Sequence, residues 1–554
     1  MAQLSGLRDA LSPPLALAGL AGLVAFGFLY KSASPQAAVS LRVQRPEAVD
    51  TARRFIAAQG APVAELEQAV QFTGNTIGLV FLQRTLGLDT ASAWARDQVP
   101  IWSWRVRWFK PQEKEEWQVR VGVDGAVVGF AHVVEESAPG AALTQDSALA
   151  VAEALLRTQG WSPDSLDRVE SSSERRDQRT DHHFTWEKRG TQVFWAQPEG
   201  ASGSGAVRLA VDVQGDRVGA YRRFLKVPEA FERQLSQTLS LGQLLAVGSL
   251  GLTAVLLLIA LGVSIVRQRH GDTRWAPALR LAVLVAALFL VQGLTLYPRV
   301  KFAYPSEIQW GAYVGILIVG LLVVSVLYGC WVLFATAAGE SLARETFPQS
   351  LAGLVDAASG RLFTPEVARA ALGGYALGFA ILGYLAVFYV AAQRWLGAWL
   401  PAEGPYSEIF NSSLPVLAPL AIAVVAGVTE EVTYRLFGIS LIKRYLKSTA
   451  VSLLVPAMVW AFAHSNYAVF PVYLRGIELT IAGLIFGLGF LRLGLLACIV
   501  AHYVVDAVLL GIPLLTSGNP AYSVSGVVVM GLALLPAVLG FTAPRRGAAP
   551  TAGA

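Results

Sequence analysis

Nine apolar runs succeed one another from residue 238 onward, at 238–266, 277–297, 311–336, 371–392, 413–440, 450–470, 477–491, 494–512 and 522–541, and a further one fills Pro14 to Tyr30. The hydrocarbon core of a bilayer is about 30 Å thick, which about 20 helical residues cross, and a helix satisfies its own backbone there without water. Runs this frequent leave the chain one economical fold, a polytopic α-helical membrane protein of about ten transmembrane helices. The 54% share of hydrophobic residues, the 15% share of charged ones and the mean hydropathy of +0.49 agree with it.

One stretch breaks the pattern. Residues 31–236 are rich in charge, Trp, Gln and Ser and contain no run long enough to span a membrane. A water-soluble α+β domain is expected there, inserted after an N-terminal transmembrane anchor at 1–30. That anchor is longer than the apolar part of a secretory signal and lacks a strongly basic start, so it is expected to be uncleaved. The inserted domain reads as duplicated, about 45–135 and 142–228. DTARRFIAAQG (50–60) and DSALAVAEALLRTQG (146–160) are both amphipathic at helical period and both end in Gln-Gly, where glycine stops the helix. Alternating strand-like text follows each, WQVRVGVDGAVVGF (117–130) and VRLAVDVQGDRVGAY (207–221), with Asp124-Gly125 and Gln214-Gly215 as hairpin turns. This arrangement resembles the small PepSY-like extracytoplasmic modules. Trp102, Trp104 and Trp108 alternate as on one strand face and are expected in the domain core, while His132, His182 and His183 are expected to be ordinary surface or half-buried histidines.

The distribution of basic residues orients the chain. RQRHGDTR (267–274), Arg344, Arg361 and Arg369 in the 337–370 loop, LIKRYLK (441–447), Arg492 and Arg545-Arg546 fall on one side if the spans alternate, against Arg299, Lys301, Arg394 and Arg475 on the other. By the positive-inside bias both termini are cytoplasmic and the inserted domain lies across the membrane. The Ala/Leu/Gly/Arg-rich, lysine-poor text suits a bacterial plasma membrane. The net charge of +5 is explained by the same bias and implies no nucleic-acid partner. Cys330 and Cys498 lie in apolar segments and belong to no disulfide framework or CxxC metal site. The expected order after the insert is helices and a cytoplasmic loop at 237–370, a second helical bundle at 371–541 and a cytoplasmic tail at 542–554.

Charged side chains inside a bilayer cost roughly 2.5–3.5 kcal/mol each on insertion scales, so those that persist there are functional candidates. Glu430, Glu431 and Arg435 share one span, His464 is in the next, and His502 and Asp506 share a third. Glu431 and Arg435 are helical i,i+4 neighbours, acid before base, and can neutralise one another. Glu430 points about 100° away and is left to face a cavity. Glu430 and His464 each lie 17 residues from Lys447 in the turn between their spans, so equal hairpin arms bring them to one level. His502 and Asp506 share a helical face. Such a set can polarise water for hydrolysis, through a metal or by direct general-base action.

EEVTYR (430–435), WAFAH (460–464) and HYVVD (502–506) together resemble the three motifs EExxxR, FxxxH and HxxxN/D of the CPBP or Abi family of intramembrane proteases, which includes the type II CAAX prenyl endopeptidases. The resemblance covers roughly residues 371–541. It implies a helical membrane bundle that cleaves peptide bonds near the membrane, with prenylated CAAX proteins among its substrates. It implies that Glu430 activates water with help from His464, that His502 and Asp506 hold a metal or the oxyanion, and that Glu431 and Arg435 support them. If a divalent metal such as zinc is bound, Glu430, His464, His502 and Asp506 are its implied ligands. Trp460 stands where phenylalanine is usual and keeps an aromatic wall of different size. Asp506 stands where asparagine is the other option, and an ionised aspartate cannot donate to an oxyanion, which favours a metal-ligand role or a protonated side chain.

Gly483 and Gly487 have the small-xxx-small spacing of close helix packing, and Arg475 and Glu478 are explained by snorkelling or pairing near a membrane boundary. Two other functions compete with proteolysis. One is a non-proteolytic membrane scaffold or sensor of the same fold whose outer domain binds an unidentified partner. The other is a proton-coupled transporter, for which the chain offers no inverted repeat. On the expected topology the chemistry opens toward the cytoplasmic half, so the inserted domain would be remote from it.

Overall fold

A computed structural model describes residues 12–33, 42–196, 200–351, 353–401, 406–536 and 538. The expected tail at 542–554, with Arg545 and Arg546, lies outside the described residues. The protein is 64% helical and, among the described residues, combines a sheet domain near the N-terminus with eight helices long and apolar enough to cross a membrane. These are Pro13–Ala33, Glu229–Arg269, Trp275–Thr295, Trp310–Thr346, Pro365–Trp395, Leu417–Leu446, Tyr473–Leu493 and Leu495–Leu515. Two of the expected spans are shorter apolar helices, Thr449–Phe462 and Pro520–Leu532. The 450–470 run does not stay helical to its end. A chain reversal begins at Ala463, and Pro471, which has no N–H to donate, precedes the next helix at Tyr473.

Among the described residues the sheet domain contains nine strands: β1 Glu67–Gly74, β2 Trp102–Phe109, β3 Glu116–Gly122, β4 Val127–Val133, β5 Leu166–Arg175, β6 Thr180–Lys188, β7 Val193–Ala196, β8 Ser202–Gln214 and β9 Arg217–Lys226. Their order is β1-β2-β3-β4-β9-β8-β6-β5, with β7 paired to β8. All pairings are antiparallel, and the two halves of the domain join through β4 and β9, where Phe130 faces Tyr221. Each half begins with an amphipathic helix, Arg45–Ala58 or Gln145–Thr158, followed by a short 3-10 turn and a strand. Both helices stop where the Gln-Gly pairs stand, with Gly60 and Gly160 at φ +86° and +80°, a conformation that costs glycine little. Alternation then decides which strand face is apolar. Trp104, Val106, Val119 and Phe130 pack under Ala48, Ala52 and Ile56 of the first helix, and Phe184, Trp186 and Val211 pack under Ala148, Ala152 and Leu156 of the second.

The domain stands on the membrane helices by its β1 edge. Asn411, 1% exposed, takes the place of a neighbouring strand there: its Oδ1 accepts from Phe72 N at 2.7 Å and its Nδ2 donates to Phe72 O at 2.9 Å. Arg107 reaches from β2 to the carbonyls of Phe302 (3.0 Å) and Tyr304, just before the Trp310–Thr346 helix. Asn519 Nδ2 donates to Gln44 Oε1 at 2.7 Å. Glu229–Arg269, about 60 Å long at 1.5 Å per residue, outreaches a bilayer core and carries Phe231 and Leu235 into the sheet-domain core. Asn411→Ala strands the Phe72 N–H and C=O without partners and is expected to destabilise the attachment by about 1–3 kcal/mol. Hydrogen exchange checks this: the Phe72 amide should lose protection, and unchanged exchange would remove Asn411 from this role.

On the far side of the membrane helices, the basic turns found in the sequence form an ion network. Arg444 Nε meets Glu345 Oε2 at 2.7 Å and Arg267 Nη1 meets Asp272 Oδ2 at 3.0 Å. The Ser341 hydroxyl, and then Arg344 and Arg267, hold the Asp272 carboxyl below the usual carboxylate range. The network ties the ends of Glu229–Arg269, Trp310–Thr346 and Leu417–Leu446 together.

Candidate active site

Glu430 ends the regular part of its helix, and from Glu431 to Ile439 the chain widens into a π-helical stretch in which every residue is buried. Such stretches are rare and cluster at functional sites. Neighbours hold it in place: Trp331 Nε1 donates to Thr433 Oγ1 at 2.6 Å, and the hydroxyls of Thr253 and Tyr434 are 2.8 Å apart.

Two further helices bring the other candidates to this level. His464 follows the end of Thr449–Phe462, and its Nε2 is 3.7 Å from Glu430 Oε1. His502, from Leu495–Leu515, places Nε2 3.7 Å from Glu430 Oε2 and 3.7 Å from Asp506 Oδ2. The Nδ1 atoms of both imidazoles are engaged elsewhere. His464 Nδ1 is 2.9 Å from Trp460 O and His502 Nδ1 is 2.8 Å from Glu431 Oε1. Carbonyl and ionised carboxylate oxygens only accept, so each Nδ1 carries the hydrogen and each Nε2 is turned toward Glu430. The side chains of Glu430, His464 and Asp506 keep 19, 21 and 24% exposure, which leaves room for water, whereas Glu431 and Arg435 are sealed at 0 and 2%.

The supporting residues do more than the sequence indicated. Arg435 and Glu431 form the expected pair, Nη1 to Oε1 at 3.2 Å, and the same Glu431 oxygen also orients His502. Trp460 is more than an aromatic wall: its indole N–H donates to Glu430 Oε2, and its ring lies 4.1 Å from the Arg435 guanidinium. A phenylalanine at 460 could make only the second contact.

The sequence left Tyr467 unremarked, although its ring centroid is 5.8 Å from that of His464 and Arg475 lies over it at 5.2 Å. Arg475 also pairs with Glu478 at 2.6 Å, as pairing near a boundary anticipates. Tyr389, Tyr467, Arg475 and Leu509 line a cavity of about 250 Å3 beside the site. Gly483 packs on Ala457 so closely that an added Cβ would stand 2.8 Å from the Ala457 Cβ, consistent with close helix packing.

The expected separation of site and inserted domain needs correcting. His464 opens a loop whose Phe470 is roofed by Arg84 of the sheet domain at 5.8 Å, with Trp399 under the same guanidinium at 5.0 Å. Because Thr449–Phe462 ends early, the chain turns back beneath the sheet domain within a few residues of His464, and the site adjoins that domain. Among the described residues no group of three or more His, Cys, Asp or Glu side chains is arranged to hold a metal ion. Trp460 holds Glu430 Oε2 and Glu431 holds His502 Nδ1, which leaves Glu430 Oε1 and the Nε2 atoms of both imidazoles uncommitted.

Residues 412–508, which contain all three motifs, match the family described as type II CAAX prenyl endopeptidase Rce1-like. This part of the chain is thus similar to the CAAX-type intramembrane proteases. Among curated proteins, the sporulation-killing factor biosynthesis protein SkfC of Bacillus subtilis (strain 168) is 23% identical over 342 residues, 59% of this chain and 62% of that protein. The match spans less than two thirds of the relative. No solved structure matches the chain.

Proposed function

We propose that the protein is an intramembrane endopeptidase in which Glu430 is the general base. The observation that carries this reading is the convergence of two Nε2 atoms, each 3.7 Å from a different oxygen of one carboxylate, with both Nδ1 atoms tied down. In the proposed reaction a water held between Glu430 and His464 loses a proton to Glu430 as its oxygen adds to the scissile carbonyl carbon. His502, when it carries a proton on Nε2, donates to the oxyanion that forms. Glu430 then returns its proton, by way of His464, to the departing amine nitrogen as the C–N bond breaks. Trp460 fixes the Glu430 carboxylate, and Glu431 with Arg435 fixes His502. No step requires a metal.

The proposed substrates are membrane-associated peptides, prenylated C-terminal peptides among them, and the cavity beside Tyr467 is of a size to take a side chain near the cleaved bond. We place the protein in a bacterial plasma membrane with the basic face and both termini cytoplasmic, as the positive-inside bias supports.

Cleavage of prenylated and unprenylated fluorogenic peptides by protein in nanodiscs tests this, with and without a chelator. His464→Ala is expected to lower turnover by roughly 10²-fold or more, and full turnover in that variant would reject the mechanism. Chelation is expected to leave turnover unchanged. Loss on chelation, with restoration by zinc, would establish instead the metal-assisted route implied by the family resemblance.

A further inference from the structure

The face of the sheet opposite the two amphipathic helices carries three guanidiniums in one cross-strand row. Arg105 on β2 stands directly opposite Arg120 on β3, Arg120 opposite Gly129 on β4, and Gly129 opposite Arg222 on β9. Like charges set directly across a strand pair repel. Nearby acids offset them little: Glu116 is paired with Arg107 and acts on Arg105 only behind the opposing Arg120 and Arg107 charges, and among the described residues Arg120 and Arg222 have no hydrogen bond or ion pair with any carboxylate. Among the described residues the hydrogen bond of Arg105 goes to the neutral Gln118 amide at 2.9 Å, and its Nε is buried without a hydrogen-bond partner. Burial first, then the Arg120 and Arg107 charges, pull the Arg105 guanidinium down to about 10. Arg120 is lowered as well, by loss of surrounding water and by Arg222.

The floor of the row is small. An added Cβ at Gly129 would meet the Arg120 side chain at 3.2 Å, so the stem of Arg120 lies across this glycine toward Arg222. Arg120 and Arg222 are exposed. From β2 to β9 the row covers three strand spacings, about 14 Å.

We propose that this row is a docking surface for an acidic, extended segment of a polypeptide that emerges from the membrane. The direction of the row selects this partner. β1 is the edge seated on the membrane helices through Asn411, and β5 is the far edge, so Arg105, Arg120 and Arg222 stand one, two and four strands away from the seated edge. Lipid head groups lie in one plane and meet the lowest arginine alone, which Phe302 already covers at 4.9 Å. A chain leaving the bilayer and running up the sheet meets all three. The inference does not depend on the proteolytic reading, since it concerns binding and not hydrolysis.

The test uses the full-length protein in neutral-lipid nanodiscs, with Glu430→Gln present throughout so that no cleavage intervenes. A fluorescein-labelled glutamate-rich peptide is followed by anisotropy at low and high salt. Binding is expected at low salt, weakened by screening. Arg120→Gln with Arg222→Gln is expected to lower affinity tenfold or more, while Arg157→Gln, elsewhere on the domain, leaves it unchanged. Thermal unfolding of each variant confirms that the domain is intact. Equal binding by the double variant overturns the proposal, as does no binding by the parent. Arginine-dependent capture of anionic vesicles in preference to the peptide assigns the row to the membrane and overturns it equally.

Discussion

Glu430→Gln is expected to lower peptide turnover by roughly 10²- to 10⁴-fold while leaving the protein folded. Glutamine keeps the shape of glutamate, and its amide oxygen can still accept from the Trp460 indole, so packing around the site is conserved. The amide cannot take a proton from water. Loss of rate without loss of structure therefore isolates proton transfer from positioning. The measurement is single-turnover cleavage in nanodiscs beside thermal unfolding of the same preparation. Wild-type turnover in this variant would assign the chemistry elsewhere, because no other described carboxylate faces both imidazole Nε2 atoms. If the variant unfolds, Glu430→Asp supplies the comparison, since it retains a base but withdraws it by one methylene.

Glu431→Ala is expected to be the most destabilising single change at the site, by roughly 3–5 kcal/mol. Removing one partner of a buried ion pair leaves the other charged and uncompensated. Arg435 is 2% exposed, and its Nη1 and Nη2 have no hydrogen-bond partner, so the Glu431 charge and the faces of Trp460 and Phe486 are what offset it. The same change frees His502 Nδ1, so activity should fall even at temperatures where the protein stays folded. Denaturant or thermal unfolding in detergent reads the first effect and peptide cleavage the second. Glu431→Ala with Arg435→Leu, which removes both charges, should recover much of the stability but not the activity. Failure of the pair to recover stability would mean that the buried arginine is not the source of the loss.

The convergence of Glu430 with His464 was legible because it depends on arithmetic: equal hairpin arms bring residues to equal depth, and the two side chains stand 3.7 Å apart. The Glu431 and Arg435 contact was legible for the same reason, one helical repeat. Contacts decided by side-chain rotation across helices were not. Nothing in WAFAH says that the Trp460 N–H will turn toward Glu430 while its face turns to Arg435, and nothing in EEVTYR says that one Glu431 oxygen serves two partners. The π-helical widening carries no periodic signal of its own. In the sheet domain, Asp124-Gly125 and Gln214-Gly215 announced their hairpins, with Gly125 and Gly215 at φ +90° and +64°. The pairing of β4 with β9 was invisible, since the two strands are far apart in the chain and each alternates equally well alone. The early end of Thr449–Phe462 was masked by apolar residues that continue beyond it, and with it went the nearness of the site to the sheet domain.

The Pro13–Ala33 helix packs so closely on Pro365–Trp395 that an added Cβ at Gly22 would stand 2.3 Å from Phe379 O, and one at Gly383 would stand 2.3 Å from Gly22 Cα. During synthesis these two surfaces are made far apart in time. Ribosomes add about 5–20 residues each second, so the first helix waits roughly 20–70 s before its partner emerges. Through that interval its glycine-lined side faces lipid or a chaperone, and the helix must persist in the bilayer by its own apolar length.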